Sequence, residues 1–359
     1  MMGVGIDPLP SIITKGGVLM KGFILAFICI LILALPLLAQ DEGVLAHYGT
    51  LKIGGIMQST FTYNMDEDDV QTEFALKRSR LLFWGTILND KIKYFIQTEG
   101  VSSPYVLDTK LIFADYIPMT TITIGRFLPN FTHYMPRSTA MLDMINYPLM
   151  VGNYAMWRQI GVQTMTKTDY VDFNVGLFNG YPANSTTENN DAKDLLLAAA
   201  GKPAEFVKLF GYGWFGNLLL ADDEDLAKNR YGFGALIDYP LSEEMSVAFK
   251  GEYCLGIDEQ GEGIDDLNSA GYYAHVGFKV KPQIELLLRY DNIDPDTDAN
   301  ANDYAGAGAT SWITLGANYF LDGEHVKFSL NYIMKKEEVP DGDDEPDNDQ
   351  IVVQAQLFF

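Results

Sequence analysis

Charged side chains recur at every second position in segments whose alternate positions are apolar, and that spacing is the chemistry this sequence carries. Arg78, Arg80, Lys93, Lys110, Lys250, Lys279, Arg289 and Lys327 fall on the polar side of such segments, as do Glu99, Asp108, Asp172, Glu252 and Glu285. Successive side chains of a strand point to opposite faces, so one face gathers these groups and the other is apolar. Fixed charges along a common face can line a water-filled passage and select the ions and solutes that pass. That chemistry forms no covalent intermediate and uses no cofactor.

Catalytic groupings are poor by comparison. His47, His133, His275 and His325 lie on different segments without metal-ligand spacing, and each reads as a solvated or wall histidine. No serine occupies a nucleophile-elbow pattern, and Cys254 stands near Lys250 and Glu252 with no histidine close in sequence. Asp294-Pro295-Asp296-Thr297-Asp298 begins like a calcium loop, but Ala299 replaces the turn glycine and Ala305 the closing glutamate. The expectation is a protein that is not an enzyme and binds no cofactor or metal.

The elements that would position the charges are strands. Val171 to Gly180 and Val326 to Met334 alternate strictly, and Leu107 to Ile117, Met245 to Ile257, Tyr272 to Val280 and Ile313 to Leu321 follow the same period. Their connections alternate too. Asn89-Asp90, Pro118-Met119, Thr168 to Tyr170, Pro240 to Glu244, Lys281-Pro282 and Asp322 to Glu324 are tight turns. Between them lie long polar stretches: Met65 to Thr72, Asp258 to Ser269, Asp291 to Asp303 and Lys336 to Asp349. Short turns at one end and long loops at the other are the asymmetry of a bacterial transmembrane antiparallel β-barrel, an all-β fold. The alternation yields about 16 strands, or about 14 if Asp194 to Leu220 is only a loop. Asp194 to Ala200 is the weakest strand, because Leu195 to Ala198 could equally form a loop helix.

Both ends of the chain support export to an outer membrane. Met20-Lys21 precedes an apolar run to Leu38 and a small residue at Ala39, which describes a secretory signal. Residues 1–39 are therefore read as leader and signal, and residues 40–359 as a single barrel. Lys15-Gly16-Gly17 can be encoded as a ribosome-binding sequence, which places the true start at Met20. At the other end, Ile351, Val353, Ala355, Leu357 and Phe359 share one face, opposite Gln354 and Gln356. A closing strand that ends on an aromatic residue is similar to the signal read by barrel-assembly machinery, which makes that machinery an expected partner through Phe359.

A net charge of −23 argues against nucleic acid as a partner. With Cys29 in the signal, Cys254 is the only cysteine left, so no intramolecular disulfide is expected. Mean hydropathy near zero, with no second long apolar run, excludes a bundle of membrane helices but not a barrel. The function expected is passive diffusion of ions and small hydrophilic solutes across the outer membrane of a Gram-negative bacterium. The alternative is a surface receptor or structural barrel whose conduction is incidental. Eight basic and five acidic groups on the inward list lean slightly toward anions, while most carboxylates sit in the long loops.

Phe74 to Arg80 followed by Trp84-Gly85, Thr121 to Pro129, Arg158-Gln159-Ile160-Gly161-Val162, and Val171 to Gly180 occur in an order that resembles the porin O/P family, the phosphate-selective porins. The resemblance implies a trimeric diffusion channel of about 16 strands, with anions such as phosphate as candidate solutes. Leu128 stands where family members often carry a lysine, a departure from the phosphate specialisation.

Pro129 to Trp157, flanked by Arg126 and Arg158, is the longest connection and carries Met135, Met141, Leu142, Met144, Ile145, Tyr147, Leu149 and Met150 with few charges. An extended apolar loop is expected to fold inward after the fifth strand and narrow the pore. Packing against a neighbouring subunit is the alternative. Arg126, Arg137, Asp143 and Arg158 are then the charged groups expected at the constriction, and Ser138 or Thr139 could cap a short helix through Asn146.

Overall fold

The computed structural model describes residues 49–359, apart from 67–69, 89–90, 102–104, 181–183, 185, 188–189 and 220–224. The signal and leader reading, and the turn at Asn89-Asp90, lie outside the described residues. Sixteen strands form a closed antiparallel barrel in which each pairs with its sequence neighbours and the last pairs with the first. They are β1 Lys52–Asn64, β2 Thr72–Ile87, β3 Ile92–Glu99, β4 Tyr105–Ile117, β5 Thr120–Phe127, β6 Gln159–Lys167, β7 Val171–Phe178 and β8 Asp194–Ala204. The second half comprises β9 Val207–Leu219, β10 Asp225–Pro240, β11 Ser246–Asp258, β12 Leu267–Lys281, β13 Ile284–Asp294, β14 Thr310–Asp322, β15 Val326–Glu337 and β16 Gln350–Phe358. Among the described residues no helix is long and apolar enough to cross a membrane.

The wall is inverted relative to a water-soluble protein. On β15, Lys327 is 2% exposed while its neighbour Phe328 is 46% exposed. Leu286 and Leu288 on β13 and Val353 and Leu357 on β16 are likewise exposed, whereas Arg289, Asp291, Gln354 and Gln356 are buried. Apolar residues outside and polar residues inside suit a hydrocarbon surround and a hydrated lumen. Phe215 with Tyr231, and Phe233 through Tyr253 and Tyr272 to Tyr290, extend this outer surface toward the long-loop end as two sets of contacting rings. Such aromatic girdles sit at the level of lipid headgroups.

The segment read as an insecure strand is β8. Leu196 points inward and is fully buried, Leu197 points outward, and Asp194 accepts from the Trp214 indole at 2.7 Å. Backbone groups here pair with β7 and β9, as any lipid-facing segment of a barrel requires, so a loop helix is excluded.

Parity fails at two bulges beside the lumen, one at Leu107 on β4 and one on β2. Gln58 opposes Arg78 and Ser59 opposes Leu76, so Lys77 is the extra residue of a β-bulge on β2. A bulge lets two consecutive side chains turn to the same face. Lys77 and Arg78 both reach the interior, the first to Asn146 and the second to Gln58 Oε1 at 2.7 Å.

Candidate functional site

Residues 128–158 join β5 to β6 and fold into the barrel. Phe131, Tyr134, Met135, Met150, Val151 and Tyr154 pack with Phe178, Leu196, Tyr212, Trp214 and Tyr273 of the wall as the main apolar cluster of the molecule. The loop's apolar content is thus satisfied inside its own barrel, which excludes the subunit-contact alternative. Its regular structure is brief. Ser138 caps a 3-10 turn over Thr139–Met141, and α1 spans Leu149–Tyr154. The helix expected through Asn146 does not form, because the backbone there is bonded to the wall. Lys327 Nζ donates to Ala140 O and Leu142 O at 3.1 and 3.0 Å, Asn318 Nδ2 donates to Asp143 O at 2.8 Å, and Ile145 N donates to Asn331 Oδ1 at 2.9 Å.

Further fastenings complete an arc. Gln58 on β1 and Gln356 on β16 donate to Thr139 O and Ala140 O, and Arg80 on β2 donates to Thr139 Oγ1. Arg289 on β13 donates to Asn146 O at 3.0 Å and Tyr147 O at 3.3 Å while holding Asp291 at 2.6 Å. Glu252 on β11 accepts from His133 N. Lys250 forms an ion pair with Asp143 at 2.7 Å, and the Tyr134 hydroxyl donates to the same carboxylate at 2.6 Å. Burial pushes the Asp143 carboxyl up, but the Lys250 ammonium, His275 and the two hydrogen bonds outweigh it and hold the group well below the usual carboxylate range. Burial, Arg137 and Lys250 together depress the His133 imidazole to about 3, so it is neutral and its Nε2 can accept from Arg137 at 3.0 Å.

The polar fastenings cover β11 to β16, β1 and β2, the apolar cluster holds the loop to β7 to β9, and open space remains against β2 to β6. Two cavities lie there. One, about 500 Å³, extends toward the short turns past Lys110, Thr121, Thr123, Arg137 and Lys167. The other, about 530 Å³, opens toward the long loops past Tyr105, Arg126, Trp157 and Asn184. Arg80 and Arg158 line both cavities. Arg80 is bonded to Glu99 at 2.8 Å and Arg158 to Asp108 at 3.0 Å, and these pairs fix the two guanidinium groups against the wall. Lys110 lies over the Phe95 and Phe127 rings, with no carboxylate partner among the described residues. Arg126, at the long-loop end of β5, donates to Val106 O and Asn184 O.

The remaining groups of the inward list are spread over the lumen wall. Lys279 lies over the Phe320 ring, Glu285 accepts from Asn318 at 2.9 Å, and Lys93 is exposed near the short turns. Asp172 lines a separate space beside β7. The neutral amides Gln58, Asn318, Asn331 and Gln356, which hold the loop, are absent from the charge pattern of the sequence, although they share the inward parity. Among the described residues no group of His, Cys, Asp and Glu could hold a metal ion.

The two faces of β5 can be told apart chemically. Thr123 lines the short-turn cavity, whereas Ile122 is on the opposite parity. In lipid vesicles, Thr123→Cys is expected to react with a membrane-impermeant maleimide and Ile122→Cys to resist it. The fully buried Cys254 contributes little background. Labelling at Ile122→Cys alone would contradict the register.

Comparison with known proteins agrees with this architecture. Residues 247–359 match the family model described as phosphate-selective porin O and P. The match falls in the C-terminal third rather than in the stretch from Phe74 to Gly180 that carries the quoted motifs. No curated protein sequence matches the chain. The outer membrane channel DcaP of Acinetobacter baumannii superposes with a TM-score of 0.63 at 15% identity, over 88% of this chain and 98% of that one. A loop L8 deletion mutant of OmpT, an outer membrane protein of Vibrio cholerae, gives 0.60 at 12% identity, over 87% and 100%. Salmonella typhi OmpF, in complex with daunomycin, gives 0.58 at 12%, over 86% and 97%. The chain has the sixteen-stranded fold of outer-membrane porins, and its C-terminal third matches the family model of the phosphate-selective porins O and P.

Proposed function

We propose that this barrel is a passive diffusion channel for ions and small hydrophilic solutes, with anions favoured at a constriction between Arg80 and Arg158. The observation that carries the reading is that, among the described residues, these two arginines alone line both cavities, so a solute moving from one to the other passes them. Lys110, Arg137 and Lys167 add positive charge to the short-turn cavity, against Asp108 as the only carboxylate lining it among the described residues. The acidic loops lie at the mouth. Their field is screened beyond about 3 Å at 1 M salt and about 8 Å at 0.15 M, so it does not govern the constriction in concentrated electrolyte.

Reversal potentials across a KCl gradient test this. Chloride is expected to be preferred over potassium at high salt, with the preference shrinking as salt is lowered and the mouth potential lengthens. Cation preference at high salt would overturn the reading. Absence of stepwise conductance in a planar bilayer would favour the receptor alternative. Phosphate specificity would appear as saturable block of the chloride current. Trimeric assembly belongs with this proposal, since Vibrio cholerae OmpT has been described in a trimer form. So does recognition of Phe359 by barrel-assembly machinery.

A further inference from the structure

A third space of about 330 Å³ lies between the inward loop and β7 to β9 and adjoins the short-turn cavity, with which it shares Asn130, Pro136 and Met165. Met165, Asn174, Ala198 and Tyr212 form one cross-strand row along its wall. Asn174 is 5% exposed, and neither its amide nitrogen nor its amide oxygen has a hydrogen-bond partner. With Met165 and Ala198 on its two sides, the wall offers the amide nothing. Buried amides are normally satisfied, so the unmet groups of Asn174 point to a partner within the space.

The charges around the same space are also unspent. Asp172 lies one inward position from Asn174, toward the short turns, and Lys208 stands on β9 one inward position from Phe210. Neither makes an ion pair with another described residue. Asp172 and Phe210 share a row across β8, so Asp172 and Lys208 are separated by two strand spacings and one inward step, roughly 12 Å between Cα atoms. Phe131 from the loop lies against Tyr212 at 4.6 Å between ring centroids, giving the space an aromatic side.

We propose that this space is a binding subsite for a zwitterionic solute with an aromatic body, of about dipeptide size. The ammonium group is received by Asp172, the carboxylate by Lys208, the peptide or amide group by Asn174, and the ring by Phe131, Phe210 and Tyr212. A volume near the lower end of small-molecule sites fits such a solute. The proposal rests on the lumen being a solute path and names one class of solute for it.

The test uses the full-length barrel and glycyl-phenylalanine, with glycylglycine and inorganic phosphate as comparison probes. Calorimetry in detergent and block of the chloride current in a bilayer are each expected to show saturable binding of glycyl-phenylalanine, about ten-fold tighter than glycylglycine. Asn174→Leu and Asp172→Asn are each expected to weaken it about ten-fold, the loss of one buried polar contact. If Asn174→Leu does not fold, Lys208→Met carries the same test. Equal affinity for glycylglycine, unchanged affinity in the folded variants, or competition by phosphate at equal strength would overturn the proposal. A barrel that conducts chloride but does not bind the dipeptide removes this inference alone. One that never conducts removes the channel reading, while calorimetry still reads the site.

Discussion

Deletion of residues 137–144 is expected to raise single-channel conductance severalfold while the barrel still forms. That segment carries Thr139, Ala140, Leu142 and Asp143, whose backbone groups span from β1 and β16 across to β14 and occupy the lumen. Without it, Gln58, Lys327, Asn318 and Gln356 lose their loop partners, but they then face water. A polar group costs stability only when it is both unpaired and shut away from solvent, so the wall tolerates the change. The strand ladder is untouched. Unchanged conductance in planar bilayers would mean that ions already pass wholly along β2 to β6 and that the deleted segment restricts nothing.

Arg289→Met is expected to cost about 3–5 kcal/mol, because it leaves a buried carboxylate without its cation. Arg289 and Asp291 have side chains 2% and 0% exposed, and together they bind Asn146 O, Tyr147 O and Leu149 N of the inward loop. Arg289→Met combined with Asp291→Leu should recover much of the loss, since an apolar pair of similar volume no longer buries a charge. Urea unfolding of the detergent-folded protein, followed by tryptophan fluorescence and arranged as a double-mutant cycle, measures both. A loss below about 1 kcal/mol for the single variant would show that water reaches the pair and that it behaves as a surface ion pair.

The strand count was legible in the sequence because alternation is a one-dimensional record of a two-faced wall, and because short and long connections label its two ends. The inward loop was legible for a similar reason: Met135, Met144 and Met150 have no place in water. What holds that loop was not. Lys327 and Asn318 meet Ala140 and Asp143 across roughly half the chain, and no local pattern encodes such a meeting. The β-bulge at Lys77 was hidden too, since one inserted residue reverses parity without changing composition. Local capping chemistry was right at Ser138 yet overruled beyond Met141, where wall side chains took the carbonyl oxygens. The Arg80 and Arg158 passage needed both strand register and loop position, and its residues appeared in the sequence only as members of a longer set of candidates.

The seam between β1 and β16 bears on the kinetics of assembly. Gln58 and Gln356, joined side chain to side chain, are 298 positions apart, and Phe359 exchanges backbone hydrogen bonds with Gly55 at 2.9 and 3.1 Å. Gly54 is required at this seam, since a Cβ there would stand 2.4 Å from Phe359 O. Every intermediate with fewer than sixteen strands carries two bare edges, which lipid cannot hydrate and another chain can capture. Partial barrels are therefore traps, and insertion and closure must be completed as one cooperative event. Variants that slow docking of the last hairpin should shift newly made protein toward aggregation, even where the finished barrel is no less stable.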